Sequence, residues 1–269
     1  MEREIDEQLK KVYSQWLDEL KMVAPQFLSE NRYSNPYFTC VPKGWCDSAV
    51  RILIVGEEGY GPWGHGKSDG IKPYEIQKIQ ELCWRSLVSH LGYKLNYDLY
   101  PIQDKYDEID SAFWIRARKL SQYGVCAWTN QDTIHIRRQR DCKLNQGERT
   151  KLHSTKTKLL AEEVDALKPT HVVIMGWYHT SIREELPELY YTLYPQNADA
   201  WYVNSEHEIV YRNMDGIHYI FTYHPGWRRK PKGYEDEVMR VFLETLKKPD
   251  GGGEIDTYRP DYDVWLFRK

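Results

Sequence analysis

Arg51-Ile-Leu-Ile-Val-Gly56 runs directly into Glu57-Glu-Gly-Tyr-Gly-Pro-Trp-Gly64. A short apolar run closed by glycine reads as a buried strand, and the stretch from Glu57 to Gly64 reads as a polar loop. Two further stretches repeat the pattern. Val125-Cys-Ala-Trp-Thr129 ends in Asn130-Gln-Asp132, and Tyr219-Ile-Phe-Thr-Tyr223 ends in His224-Pro-Gly-Trp-Arg-Arg229. In an open parallel sheet, ligands bind just beyond the carboxyl ends of the strands. An acid pair (Glu57, Glu58), an amide (Asn130) and a histidine (His224) are therefore expected to converge on one site. Such a set activates water, reads the edge of a heterocycle and stabilises a developing anion.

Helical and strand-like segments alternate on either side of these stretches. Residues 3–22 place Ile5, Leu9, Val12, Trp16 and Leu20 on one helical stripe, and 23–50 read as irregular. Helices are predicted over 75–91, 108–122, about 150–167 (stopped by Lys168-Pro169), 178–186 and 234–247. Strands are predicted over 51–55, 124–129, 170–175, 201–203, 209–211 and 217–223. The alternation implies an α/β fold: a three-layer α/β/α sandwich around a central, mainly parallel sheet. Residues 1–49 form a helix and irregular lead-in packed on the core, 50–248 the α/β domain, and 249–269, after Pro249-Asp-Gly-Gly-Gly253, a C-terminal tail.

Composition narrows the functional classes. The chain has 269 residues, is 41% hydrophobic and carries 21 Tyr and 10 Trp, enough for a core with rings to spare for base stacking. No stretch approaches the roughly 20 apolar residues that span a bilayer, and the charged start Met1-Glu-Arg-Glu-Ile-Asp6 has no apolar signal region. Five scattered cysteines argue against a disulfide framework and for a reducing cytoplasm. The net charge is −3, yet one basic segment contains Arg137, Arg138, Arg140 and Lys143, and another contains Arg228, Arg229, Lys230 and Lys232. Each comes directly after a strand-end loop, where it serves either as a solvated face or as a phosphate-binding rim.

The loops carry the chemistry. Gly56–Gly64 is glycine-dense, which lets backbone approach a ligand closely. It matches neither the phosphate-loop nor the dinucleotide fingerprint, so no nucleotide cofactor is expected. Glu57 and Glu58 are either catalytic acids or a solvated turn. Asn130 either reads a base edge or caps a turn. His224, held extended by Pro225, is a general acid, an electrostatic catalyst, a ligand or a structural residue. No histidine or cysteine spacing matches a metal site: the His-x-Glu and Pro-Cys-x-x-Cys pair of zinc deaminases is absent, and Cys40 and Cys46 are poorly spaced.

In this order and on these strands, the motifs resemble those of the uracil-DNA glycosylase superfamily. Gly56-Glu-Glu-Gly-Tyr60 is similar to its first motif, commonly Gly-Gln-Asp-Pro-Tyr, with Gly59 in place of the proline. Asn130 stands where the uracil-reading Asn ends the second strand. Leu159–Gly176 resembles the helix–strand unit before the third loop. Thr222-Tyr-His-Pro225 resembles the motif of the family 4 branch, with Gly226 where Ser or Ala is usual. Gly70-Ile-Lys-Pro-Tyr74 is similar to that branch's Gly-x-Pro-Phe, and Asn35-Pro36 with Gly56–Gly64 resembles the single-strand-selective branch. The likeness covers roughly residues 50–247. The close N-terminal cysteine pair of the family 4 iron–sulfur cluster is missing, and Cys126 and Cys142 do not restore it, so neither cluster nor metal is expected.

The resemblance implies hydrolysis of the N-glycosidic bond of a flipped uracil, or a related base, in DNA, as in base excision repair. His224 would stabilise the departing base anion, Glu58 or else Glu57 would orient water, and Asn130 would read the uracil edge. Gly56 would offer backbone to the base, Tyr60 would exclude a thymine methyl and Tyr74 would stack on the extruded ring. Trp227 would either wedge the duplex or pack under its loop. Arg228, Arg229, Lys230, Arg137 and Arg138 would contact phosphates. The expected partner is DNA, with no membrane, cofactor or obligatory second subunit, the chain acting as a monomer. Two other functions fit the same residues: a non-catalytic nucleic-acid or base-binding protein of the same fold, and a hydrolase of free nucleosides or nucleotides.

Overall fold

The computed structural model describes residues 1–30, 33–34, 36–58, 75–102, 111–134, 145–176, 201–204, 209–226 and 230–247. The predicted helix at 178–186 and the tail at 249–269 lie outside them. Within them the chain is a three-layer α/β/α sandwich. Its sheet has six strands: β1 (Arg51–Glu58), β2 (Val125–Asp132), β3 (His171–Met175), β4 (Trp201–Asn204), β5 (Ile209–Met214) and β6 (Ile217–Thr222). Their order is β2-β1-β3-β6-β5-β4. The first four in this order are parallel, and β5 turns back antiparallel beside β6. That reversal is made by Asp215 and Gly216, both at positive φ (51° and 80°), the pair of left-handed residues that a tight two-residue hairpin requires.

Because the central strands are covered on both faces, alternate residues of an all-apolar run enter different cores. Leu53 and Val55 join one cluster with Leu9, Tyr13, Trp16 and Leu20 of α1 (Glu2–Val23) and Leu159, Leu160 and Val164 of α5 (Gln146–Leu167). Ile52 and Ile54 join the other with Cys83 and Leu87 of α3 (Ile76–Leu91), Phe113 and Trp114 of α4 (Ala112–Ser121), and Val238 and Phe242 of α6 (Tyr234–Leu246). The N-terminal helix is thus a full member of a layer, packed on α5.

Several boundaries differ from those read in the sequence. β1 continues past residue 55 to Glu58, which pairs with Asp132 of β2. The acid pair and Asn130 therefore sit in the ladder and not in loops. α5 begins at Gln146, earlier than its apolar stripe suggests, because a capping box starts it. Asn145 Oδ1 accepts from the Glu148 amide at 2.9 Å, and Glu148 accepts from the Asn145 amide at 2.8 Å. A one-turn helix, α2 (Gln26–Ser29), lies inside the segment read as irregular. Among the described residues no helix is long and apolar enough to cross a membrane.

Candidate active site at the carboxyl end of the parallel strands

Register places Asn130, Gly56, Met175 and Thr222 in one row across β2, β1, β3 and β6. With strands ~4.8 Å apart, the row spans roughly 14 Å. His224 lies two residues beyond Thr222 at the same end of the sheet. The separation is bridged by Phe113 of α4. A Cβ at position 56 would lie 2.4 Å from Asn130 Oδ1 and 3.4 Å from Phe113 Cε2. The Phe113 ring in turn stands nearly parallel to the His224 imidazole, at 17° with centroids 6.4 Å apart. Gly56, Asn130 and His224 thus gather around one aromatic ring.

The amide of Asn130 is buried and oriented. Trp128, two residues earlier on the same side of β2, donates its indole N–H to Oδ1 at 3.1 Å. Nδ2, also buried, has no hydrogen-bond partner among the described residues. A buried amide donor left without an acceptor is costly, so Nδ2 is a group that a ligand acceptor could satisfy. Glycine at 56 is required by the close approach of that amide, since any side chain would occupy the place of Oδ1.

The His224 loop is held by a charge cluster centred on one buried arginine. Arg116, three residues after Phe113 on α4, is 1% exposed. Its Nε and Nη2 donate to the two carboxylate oxygens of Glu235, both at 2.8 Å. Its Nη1 donates to Thr222 Oγ1 at 2.7 Å and to the Tyr223 carbonyl at 3.1 Å, immediately before His224. Tyr223 N–H donates to Tyr234 Oη at 2.7 Å. On the other side of His224, Lys230 Nζ donates to the Pro225 carbonyl at 2.7 Å and to Glu235 at 2.8 Å. Burial pushes the Glu235 carboxyl up, but hydrogen bonds and charge from Arg116 and Lys230 outweigh it and hold it below the usual range.

His224 itself is held below its ordinary range, first by burial and then by the Arg116 and Lys230 cations. It is therefore neutral near pH 7. The Gly226 amide donates to its Nδ1 at 3.1 Å, which assigns the remaining proton to Nε2. Gly226 also leaves room for the ring: a Cβ there would come within 3.1 Å of Nδ1. The arrangement presents a neutral N–H donor that can meet a developing negative charge.

Of the residues singled out in the sequence, the structure brings together Gly56, Asn130 and His224, and it places Lys230 as a strut of the His224 loop. Glu57 and Glu58 are the last residues of β1, next to Gly56 in the chain, and their side chains lie outside what the structure describes. Tyr60, Tyr74, Arg137, Arg138, Trp227, Arg228 and Arg229 also lie outside the described residues. Sequence reading missed Phe113, Arg116, Trp128 and Glu235. Arg116 did leave a signal, a lone cation on the helical stripe of Phe113, Ala117 and Leu120. Among the described residues no group of three or more His, Cys, Asp or Glu is placed to hold a metal ion. The chain matches no protein-family model and no curated protein.

Proposed function

We propose that this chain is a DNA N-glycosylase of the uracil-DNA glycosylase type, hydrolysing the bond between deoxyribose and an extruded uracil or related base. The observation that carries the reading is the convergence of Asn130 and His224 about Phe113, at the end of the parallel strands where the motifs of that superfamily would place a base.

In this reading the base enters with its imide edge toward Asn130. The open Nδ2 donates to a ring keto oxygen, and the remaining lone pair of Oδ1 accepts the neighbouring ring N–H. As the C1′–N bond breaks, its electron pair leaves with the base, and the Nε2–H of His224 stabilises the charge on the nearer keto oxygen. The neutral imidazole serves this task through Nε2–H, its Nδ1 being held by the Gly226 amide. Glu58, or else Glu57, orients water toward C1′ and offsets the positive charge on the sugar. The water supplies hydroxyl to C1′ and, in the net reaction, a proton to the base. Tyr60 and Tyr74 complete the base pocket, and Trp227, Arg137, Arg138, Arg228 and Arg229 complete the DNA surface. The chain acts as a cytoplasmic monomer on DNA, without metal or cofactor.

The test is base release by the purified protein from uracil-containing single-stranded and duplex oligonucleotides and from deoxyuridine and its monophosphate. Release from an oligonucleotide supports the proposal. Salt-dependent DNA binding without release would replace it with a binding role, and release from the monomers alone with a nucleoside or nucleotide hydrolase.

A further inference from the structure

The Asn130 amide has two possible orientations, and its surroundings permit one. An indole N–H donates and never accepts. Trp128 Nε1, 3.1 Å from the amide oxygen, therefore keeps Oδ1 on its own side. Turning the amide over would set two donors against each other in a buried place. Oδ1 also fills the space above Gly56, where a Cβ would be only 2.4 Å away.

Trp128 cannot easily yield. Its ring lies 4.5 Å from Tyr37, 4.7 Å from Trp114 in a T-shaped contact, and 6.0 Å from Phe113. Its backbone carbonyl accepts the Tyr37 hydroxyl at 3.3 Å. The side of the amide left open is Nδ2, buried and unpartnered among the described residues.

We propose that Trp128 is a positioning residue that determines base specificity. By holding Oδ1, it aims the NH2 group of Asn130 at the base, so the site takes a keto oxygen at that place and refuses an exocyclic amino group. The inference rests on the glycosylase reading and adds to it a residue that acts through Asn130. Without the indole N–H the amide is free to turn. It then presents Oδ1 and Nδ2 in the order that pairs with an amino group beside an unprotonated ring nitrogen, the edge of cytosine.

The experiment compares wild type with Trp128→Phe, which keeps an aromatic ring and removes the donor. Base release is measured on matched oligonucleotides carrying uracil or cytosine at one position. The preference for uracil, as a ratio of kcat/KM, is expected to narrow at least tenfold, a change that a general loss of packing would not produce. A folded W128F with the wild-type ratio overturns the proposal. If W128F does not fold, benzothienylalanine at position 128, with sulfur in place of the N–H, carries the same expectation. If wild type releases no base, that counts against the glycosylase reading alone. The preference is then read from affinity for the same two oligonucleotides, and the same tenfold narrowing is required. Independently of any activity, the Trp128 indole N–H should exchange slowly in wild type and lose its protection and its chemical shift in Asn130→Leu. An unchanged indole resonance overturns the proposal.

Discussion

Replacing Arg116 by Met is the sharpest perturbation of the site scaffold. Methionine fills much of the same volume but makes none of the four polar contacts that Arg116 makes with Glu235, Thr222 and Tyr223. Breaking a buried ion pair by removing one partner typically costs 3–5 kcal/mol. Two features pull this case to the low end. Lys230 still pairs with Glu235, and the Glu235 side chain is 28% exposed, so water recovers part of the loss. The expected destabilisation is about 3 kcal/mol, which lowers Tm by roughly 6–12 °C in a domain of this size. Removal of the cation also lets the His224 pKa rise toward its ordinary value, with burial and Lys230 still opposing it. Thermal denaturation by circular dichroism reads the first effect, and an NMR titration of the His224 imidazole reads the second. In the proposed reaction His224 acts in its neutral form, so the acidic limb of base release should move to higher pH together with the titration. A melting temperature within about a degree of wild type, with an unmoved His224 titration, would refute the idea that Arg116 locks this loop.

The same geometry sets the outcome of other perturbations. His224→Ala should slow base release on the order of a hundredfold while DNA affinity, measured by anisotropy, stays near wild type; an equal loss in both would make His224 a binding residue. Gly56→Ala forces a Cβ against the Asn130 amide. It should cost about 1–3 kcal/mol by denaturant titration and displace Asn130, so a variant with wild-type stability and activity would count against the close approach. At the opposite end of the sheet, His171 stacks on His218 at 4.8 Å, and burial, reinforced by that neighbour, lowers its pKa from 6.5 to about 3. Between those values the unfolded chain binds a proton that the folded chain refuses. His171 therefore makes stability fall as pH drops below 6.5, at up to ~1.4 kcal/mol per pH unit. His171→Leu should flatten that acid limb in urea titrations from about pH 7 to pH 4, and an unchanged slope would show that His171 is not the group responsible.

The sequence by itself determined the α/β class, because buried parallel strands must be apolar on both faces and their runs stand out between amphipathic helices. Arg51–Val55 and His171–Met175 were legible for that reason. So was the row of strand ends that carries Gly56 and Asn130, since the chain direction of a parallel sheet places them at one edge. Some local signals were present and under-read. Asn145-Gln-Gly-Glu148 spells a capping box, and Asp215-Gly216 spells a tight hairpin. β1 and β2 extend beyond the ends read in the sequence because the polar residues after 55 and 129 resemble loops. The ladder is made by backbone, and Glu58 can pair with Asp132 whatever its side chain prefers. Only the tertiary structure decided how the functional groups are held. Arg116 and Glu235 are 119 residues apart, and no periodicity within either helix marks them as partners. Phe113 belongs to a helix whose docking on the sheet places its ring between Gly56 and His224. The donor direction of Asn130 and the protonation of His224 depend on one indole N–H, one backbone amide, burial and two cations. Those are matters of distance and solvent exclusion, which a chain acquires only when its layers close.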